Sequence, residues 1–132
     1  MSNTRKNILV IDDDKSICWL LERLLGKDFN VVTQTSGLKA MKWLNAGNKP
    51  DLIISDINMP QLSGGVFVEN LKKSGLWKEI PVVMLSGYDD EKEKEKALAA
   101  GAISFYQKPF NPEVFIKEIH DLTGNNKIGN YA

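Results

Sequence analysis

The stretch Ile8-Leu9-Val10-Ile11-Asp12-Asp13-Asp14 decides how this chain is expected to fold. Four consecutive aliphatic residues predict a strand buried on both faces, which is typical of a parallel sheet covered by helices. Three acidic residues follow at once, at the carboxyl end of that strand. In open parallel α/β sheets, ligands bind in the crevice beyond this end. The stretch therefore predicts an α/β fold and the edge at which its functional site lies.

Three other apolar runs also lead into polar residues that can take part in chemistry. They are Leu52-Ile53-Ile54-Ser55 before Asp56, Val82-Val83-Met84-Leu85 before Ser86, and Ile103-Ser104-Phe105-Tyr106-Gln107 before Lys108. A further run, Phe29-Asn30-Val31-Val32, is followed by no distinctive group. Because the carboxyl ends of parallel strands meet at one edge of a sheet, we expect the acids, the hydroxyl and the amine to lie together.

Segments of helical periodicity separate the five apolar runs. The predicted helices extend from Asp14 or Ser16 to Gly26, from Ser36 to Gly47, from about Val66 to Ser74, from about Asp89 to Ala100, and from Asn111 to Leu122. In the last helix, Val114, Phe115, Ile119 and Leu122 are expected to face inward. Five strand-helix units with right-handed crossovers predict a doubly wound parallel sheet. With the first and third strands at its centre, the strand order is 2-1-3-4-5.

The composition is that of a soluble globular domain with balanced charge. The chain has 132 residues, of which 42% are hydrophobic, and 17 basic residues balance 17 acidic ones. This balance gives no electrostatic reason to expect a nucleic acid or an anionic membrane as partner. No apolar stretch approaches the roughly 20 residues that span a bilayer, and the N-terminus lacks the apolar segment of a secretory signal. With a single cysteine, Cys18, the sequence predicts a cytoplasmic protein without disulfides.

Asp12, Asp13 and Asp56 are expected to share one crevice. Two carboxylates about 4 Å apart repel by roughly 4 kcal/mol at an effective dielectric constant near 20. Either their pKa values rise, or a divalent cation lies among them. Acids after a strand can also simply complement the dipole of the next helix, but Asp56 on a neighbouring strand favours a metal site. Mg²⁺ suits it, because this ion takes one or two carboxylates and completes its shell with water and phosphate oxygens.

Lys108 and Ser86 supply the other groups that phosphoryl chemistry needs. The lysine can pair with the carboxylates at rest and with a phosphoryl group in the reacting state. The serine hydroxyl can donate to a phosphoryl oxygen. Alone, they are typical of a surface lysine and a turn residue. Their arrival at the edge that carries the acids favours a phosphoryl-transfer site.

Four segments of the chain together resemble the signature of response regulator receiver domains. They are Val10-Ile11-Asp12-Asp13-Asp14, Ser55-Asp56-Ile57-Asn58-Met59-Pro60, Met84-Leu85-Ser86-Gly87 and Gln107-Lys108-Pro109-Phe110. The resemblance implies a flavodoxin-like (βα)5 fold and a role in two-component signal transduction. The receiver is expected to cover residues 1–124, and residues 125–132 to form a polar tail or the start of a linker.

By this resemblance Asp56 is the phospho-acceptor, which receives its phosphoryl group from a sensor histidine kinase or a histidine phosphotransfer protein. Mg²⁺, or Mn²⁺ in its place, would be held by Asp12, Asp13, Asp56 and the backbone carbonyl of Asn58. Lys108 would neutralise the phosphoryl group.

The resemblance also implies a switch. Ser86 would move onto the phosphoryl group and the rotamer of Phe105 would follow, which alters the face made by the fourth helix, fifth strand and fifth helix for a downstream protein partner. Phe105 lacks the hydroxyl of the tyrosine that is common at this position. The partners implied also include a second copy of the chain, in a phosphorylation-dependent dimer. Asn58 and Tyr88 would tune the lifetime of the phosphorylated state, with the ring of Tyr88 excluding the hydrolytic water. A cis peptide bond is expected between Lys108 and Pro109.

Several other features predict only local structure. The run from Glu91 to Lys96 is expected to be a solvated helix face stabilised by alternating charge. His120 suits the C-terminal dipole of the fifth helix better than a phosphotransfer role. Three tryptophans are expected at the edges of the core, namely Trp19, Trp43 and Trp77.

Three other classes of function match parts of the pattern. A phosphohydrolase that turns over through an aspartyl phosphate usually carries an acid two residues after its nucleophile, where this chain has Asn58. A flavodoxin-like cofactor carrier needs a phosphate-cradling loop where Asp12, Asp13 and Asp14 would repel phosphate. A receiver-shaped interaction module that is never phosphorylated would not need the full set of site residues. We therefore predict a Mg²⁺-dependent receiver that catalyses only its own phosphorylation and dephosphorylation, and is otherwise no enzyme.

Overall fold

The computed structural model describes residues 5–59, 64–87 and 91–124, in which five strands alternate with five helices. The elements are β1 Asn7–Ile11, α1 Lys15–Leu25, β2 Asn30–Gln34, α2 Gly37–Asn45, β3 Leu52–Asp56, α3 Gly64–Lys72, β4 Val82–Ser86, α4 Glu91–Ala100, β5 Ser104–Gln107 and α5 Pro112–Thr123. The predicted alternation is confirmed. Three expectations lie outside the described residues, namely the role of Tyr88, the start of the fourth helix at about Asp89, and the tail at 125–132. Within these ranges, no helix combines the length and apolar character needed to cross a membrane.

The five strands form one parallel sheet in the order β2-β1-β3-β4-β5. The predicted order is therefore confirmed. The register sets Ile11 beside Ser55 and Asp56 beside Leu85. The chain leaves β1 for β2 on one side and later returns to β3 on the other, so the switch point lies between β1 and β3. Asp12 and Asp13 follow β1 and Asp56 ends β3, so these acids lie at the switch point.

Separate hydrophobic clusters cover the two faces of the sheet, because successive residues of a strand point to opposite sides. In β1, Leu9 and Ile11 join the cluster beneath α2, α3 and α4, whereas Ile8 and Val10 join the cluster beneath α1 and α5. Every residue of β3 and β4 is buried. This double coverage explains why the central strands read as nearly continuous aliphatic runs.

Side-chain caps fix where the helices leave the strand ends. Asp14, and not Ser16, caps α1, since its carboxylate accepts a hydrogen bond from the Ser16 backbone N–H at 2.8 Å. Ser36 caps α2 and Asn111 caps α5, as the sequence predicts. Gly101 follows α4 with a φ of 122°, a conformation that favours glycine. The cap at Asp14 holds the turn after β1 in place and so positions the acids beside it.

Val114, predicted to face inward, and Trp19, predicted at the edge of the core, are both exposed instead. Val114 is 56% exposed, because the inward stripe of α5 begins one residue later, at Phe115, and continues one turn further at Ile119. Trp19 is 61% exposed on the outer side of α1, where the guanidinium of Arg23 lies 5.3 Å from its ring centroid. Both predictions were wrong. For Val114 the reason is that periodicity locates a helical stripe only to within about one residue.

Two element boundaries also differ from the sequence-based expectation. The second strand begins at Asn30 and extends to Gln34, because Phe29 turns into the core beside α1 and α5. Helix α3 ends at Lys72, whose Nζ donates to the carbonyl groups of Lys78 and Ile80 at 2.9 and 2.8 Å. That lysine ties the end of α3 to the chain entering β4.

Candidate functional site

Three carboxylates meet at the carboxyl edge of the central strands. Oxygen atoms of Asp12, Asp13 and Asp56 all lie within 4.8 Å of one another, with Asp12 and Asp56 buried and Asp13 exposed. The backbone N–H of Asp12 donates to the carbonyl of Gln34 at 3.1 Å. Its carboxylate accepts a hydrogen bond from the backbone N–H of Asp14 at 2.9 Å. The structure thus brings together the three acids singled out in the sequence, with Asp12 and Asp56 buried and Asp13 at the surface.

Lys108 reaches this cluster from the end of β5. Its Nζ is 2.8 Å from Oδ2 of Asp12 and 3.6 Å from Oδ1 of Asp56. The backbone N–H of Lys108 donates to the carbonyl of Ser86 at 2.7 Å, and the peptide bond to Pro109 is cis, which confirms that expectation. Burial alone would lower the pKa of Lys108, but its hydrogen bond to Asp12 and the two carboxylate charges raise it. The side chain therefore carries an ammonium group at neutral pH.

Burial and like charge make Asp56 an unusual carboxyl group. Burial is the main cause that raises its pKa to about 6, and the neighbouring charge of Asp12 adds to the rise. The charge of Lys108 and a hydrogen bond from the backbone N–H of Asn58 offset part of it. Burial likewise raises the pKa of Asp12, against the hydrogen bond from Lys108. One ammonium group thus leaves the repulsion among the carboxylates only partly compensated.

The chemistry of this donor set fits a hard divalent cation. All the side-chain ligands at hand are carboxylate oxygens, which Mg²⁺ prefers. A cation among them would relieve the like-charge repulsion that adds to the effect of burial on the pKa of Asp56. The exposed position of Asp13 gives such an ion access to the cluster from solvent. The backbone carbonyl of Asn58, two residues after Asp56, stays a predicted ligand.

Ser86 and Phe105 lie on the two strands that follow β3 in the sheet, β4 and β5. Ser86 ends β4 and is buried, and the register pairs it with Gln107, directly before Lys108. Phe105, in β5, lies opposite Met84 of β4. Its half-buried ring packs against the cluster beneath α2, α3 and α4. The two residues therefore lie on consecutive strands leading away from Asp56.

A polar contact between β5 and α5 was missed by sequence reasoning. The carboxylate of Glu118 accepts hydrogen bonds from the hydroxyl of Tyr106 and, at 2.9 Å, from that of Ser104. Burial and the Glu118 contact raise the pKa of Tyr106 well above its usual range. Glu118 lies one helical turn from the buried Phe115. That spacing was the signal in the sequence that could have placed Glu118 on the side of α5 that faces the sheet.

His120 and Cys18 take no part in the acid cluster. His120 is buried at the end of α5, with its Nε2 3.2 Å from Oδ2 of Asp28 and its ring 4.9 Å from that of Phe29. His120 thus lies in the last turn of α5, as the sequence predicts, and its contact with Asp28 comes in addition. The thiol of Cys18 donates to the carbonyl of Asp12 at 3.3 Å, and burial raises its pKa to about 11. Cys18 is therefore a packing residue, as expected.

A doubly wound parallel sheet with buried acids at its switch point, reached by a lysine from the end of β5, defines the class as an open α/β domain with a charged site at the strand ends. Within that class, the chain belongs to the response regulator receiver domain family, whose model matches residues 8–120. It is a receiver domain of two-component signal transduction.

Individual relatives agree with this assignment. The chain is 37% identical over 108 residues to the alkaline phosphatase synthesis transcriptional regulatory protein PhoP of Bacillus subtilis, covering 81% of this chain and 44% of PhoP. It is 32% identical to Histidine kinase P4 of Formosa agariphila, covering 92% of this chain and 9% of that kinase. Among solved structures, the chemotaxis response regulator CheY4 of Vibrio cholerae matches with a TM-score of 0.82 and 31% identity, covering 90% and 99% of the two chains. The chain thus spans less than half the length of the first two relatives.

Proposed function

We propose that this receiver domain accepts a phosphoryl group on Asp56 in a Mg²⁺-dependent reaction and then changes conformation to signal to a protein partner. The observation that carries the proposal is the buried carboxyl group of Asp56, which lies beside two further acids and 3.6 Å from the ammonium group of Lys108. The donor would be the phosphohistidine of a sensor kinase or of a histidine phosphotransfer protein. Similarity to a histidine kinase over most of the chain supports a kinase partner in general terms.

Asp56 would act as the nucleophile. Its pKa of about 6 leaves it largely ionised at neutral pH, so an electron pair on Oδ is available to attack phosphorus. The new Oδ–P bond forms while the P–N bond of the donor breaks, and the electron pair of that bond stays on the imidazole nitrogen. Lys108 would leave its hydrogen bond to Asp12 and pair with the phosphoryl oxygens. The backbone N–H of Asn58 holds the attacking carboxylate in orientation.

Mg²⁺ would be held by the carboxylates of Asp12, Asp13 and Asp56 and by the carbonyl of Asn58. When bound, the ion supplies positive charge that stabilises the equatorial oxygens of the transferring group. Asp12 would be the most firmly positioned ligand of the ion, because it is buried, accepts a hydrogen bond from the Asp14 N–H and lies beside Lys108. Mn²⁺ has similar ligand preferences and is expected to replace Mg²⁺.

The conformational output would begin at Ser86 and Phe105. The Ser86 hydroxyl would bond the phosphoryl group, and Phe105 would move into the space this opens. These residues end β4 and line β5, so the change would reach the face made by α4, β5 and α5, where a protein partner or a second phosphorylated copy would bind. Asn58 and Tyr88 would set how long the phosphate persists.

Intact-mass measurement after incubation with acetyl phosphate tests the acceptor role. With Mg²⁺ we expect one added phosphoryl group on the wild type and none on Asp56→Asn, which keeps the shape but removes the nucleophile. Asp14→Asn is the matched control, because Asn also caps helices and the residue lies in the same acidic triplet. It should label like the wild type. Continuous release of phosphate without a stable adduct would instead indicate a phosphohydrolase, and no reaction would indicate an interaction module.

A further inference from the structure

The charged run of α4 is not uniformly solvated, contrary to the sequence-based expectation. Four of its residues are exposed, namely Glu91, Lys92, Glu95 and Lys96. Glu93 and Lys94 are half-buried, on the side of the helix that carries the buried Ala97. Because Ala97 packs into the cluster on the sheet, one lysine of the run lies on the sheet-facing side of α4.

Lys94 lies over the aromatic ring of Phe105. Its Nζ is 5.9 Å from the ring centroid, within the range of a cation–π interaction. The contact joins α4 directly to β5. Phenylalanine has no hydroxyl, so a cation over the ring face is the kind of polar contact that Phe105 accepts. A tyrosine at this position would instead have a hydrogen bond available to fix its orientation.

The contact occurs together with the resting pairing of the acid cluster. Lys108 is bonded to Asp12 at 2.8 Å and lies farther, at 3.6 Å, from Asp56. This is the pairing expected of a lysine that turns to a phosphoryl group only when Asp56 carries one. The contact of Lys94 with Phe105 thus coexists with a site in which Lys108 is paired mainly with Asp12.

We propose that Lys94 is a positioning residue of the switch, whose ammonium group holds Phe105 in the resting orientation and thereby opposes the change that phosphorylation favours. The inference rests on the proposed function, because it needs Phe105 to move when Asp56 is phosphorylated. A contact made only in the resting state lowers the apparent affinity for any group that favours the other state. For one cation–π contact near the surface, its loss should raise that affinity by about two- to fivefold.

Binding of beryllofluoride with Mg²⁺, a mimic of the phosphoryl group, measures this equilibrium by NMR titration. Lys94→Gln removes the charge with little change in length or helix propensity. Lys96→Gln makes the same change in net charge two residues further along α4, at a side chain that is 73% exposed and 3.9 Å from Glu93. We expect about two- to fivefold tighter binding for Lys94→Gln and wild-type binding for Lys96→Gln. Lys94→Arg keeps a cation over the ring and should restore wild-type binding.

Two further measurements separate a specific contact from a general effect on α4. The ring resonances of Phe105 in the protein without beryllofluoride should shift in Lys94→Gln and stay in place in Lys96→Gln. In a Phe105→Leu background the ring is absent, so Lys94→Gln should no longer alter the affinity.

Unchanged or weaker binding by Lys94→Gln would overturn the inference, as would an equal gain in Lys96→Gln or a gain that persists without the ring. These outcomes leave the proposed function intact, because the wild type still binds the mimic. If the wild type itself failed to bind beryllofluoride, the proposed function would fall and the role of Lys94 with it.

Discussion

Replacing Asp56 by Asn should stabilise the metal-free protein at neutral pH, although it removes the proposed acceptor. The pKa of Asp56 rises from 3.8 to about 6 in the folded state, mainly through burial. At neutral pH this rise corresponds to about 3 kcal/mol by which ionised Asp56 destabilises the fold. Asn removes the charge and keeps the shape, but it also loses the attraction to Lys108. We therefore expect a gain of about 1–3 kcal/mol in the free energy of unfolding.

The sign of the pH dependence follows from the same shift. Between pH 4 and pH 6 the folded wild type binds more protons at Asp56 than the unfolded chain does, so its stability falls as the pH rises through this window. The variant lacks this titration. The stability difference between variant and wild type should therefore be small near pH 4 and reach its full value above pH 6. Groups that do not interact with Asp56 titrate alike in both proteins and cancel in the difference.

Urea unfolding in EDTA buffer at several pH values measures this difference. Asp121→Asn is the control, because Asp121 is a surface acid paired with Lys117 at 3.5 Å and its loss should change stability by less than about 0.5 kcal/mol. Adding Mg²⁺ should stabilise the wild type more than Asp56→Asn, since the variant lacks one ligand. A variant that is no more stable than the wild type at pH 7.5, or a difference that does not depend on pH, would refute the reasoning.

Other perturbations test separate parts of the site. Asp13→Ala should weaken Mg²⁺ binding by about tenfold or more in a calorimetric titration, because few protein ligands hold the ion; equal affinities would exclude Asp13 as a ligand. Lys108→Ala should retain most Mg²⁺ affinity but lose the amide shift changes around α4 that beryllofluoride induces, and a full NMR response would show that the lysine is not needed for the switch. Tyr88→Ala should speed phosphate release from the phosphorylated protein by up to about 100-fold, since a positioned water gains access; an unchanged or slower rate would show that Tyr88 does not exclude it.

The fold was predictable from sequence because its signals are local and repeated. Each central strand is a short aliphatic run, and the N-cap residues Ser36 and Asn111 indicate where their helices begin. The position of the site followed from one rule about parallel sheets, applied to the residues after each run. The approach of Lys108 to Asp12, 96 residues apart in the chain, is a consequence of that strand order.

Contacts between elements were not predictable, because a single sequence does not reveal which helical face meets which strand. Lys94 reads as one more residue of a solvated charged run, yet it lies on the sheet-facing side of α4 above Phe105. Glu118 reads as a surface acid, yet it accepts hydrogen bonds from β5. The pairing of His120 with Asp28 similarly depends on the packing of α5 beside the start of β2.

Locating the phosphoryl group on the chain tests the central claim most directly. An acyl phosphate is reduced by borohydride, which converts the carbon of the modified aspartate into an alcohol that survives digestion. After acetyl phosphate, Mg²⁺ and borohydride, peptide mass spectrometry should find this change at Asp56 alone, and it should vanish when Mg²⁺ is replaced by EDTA. Reduction at Asp12 or Asp13 instead, or an adduct at another residue type that borohydride leaves untouched, would contradict the assignment of Asp56 as the acceptor.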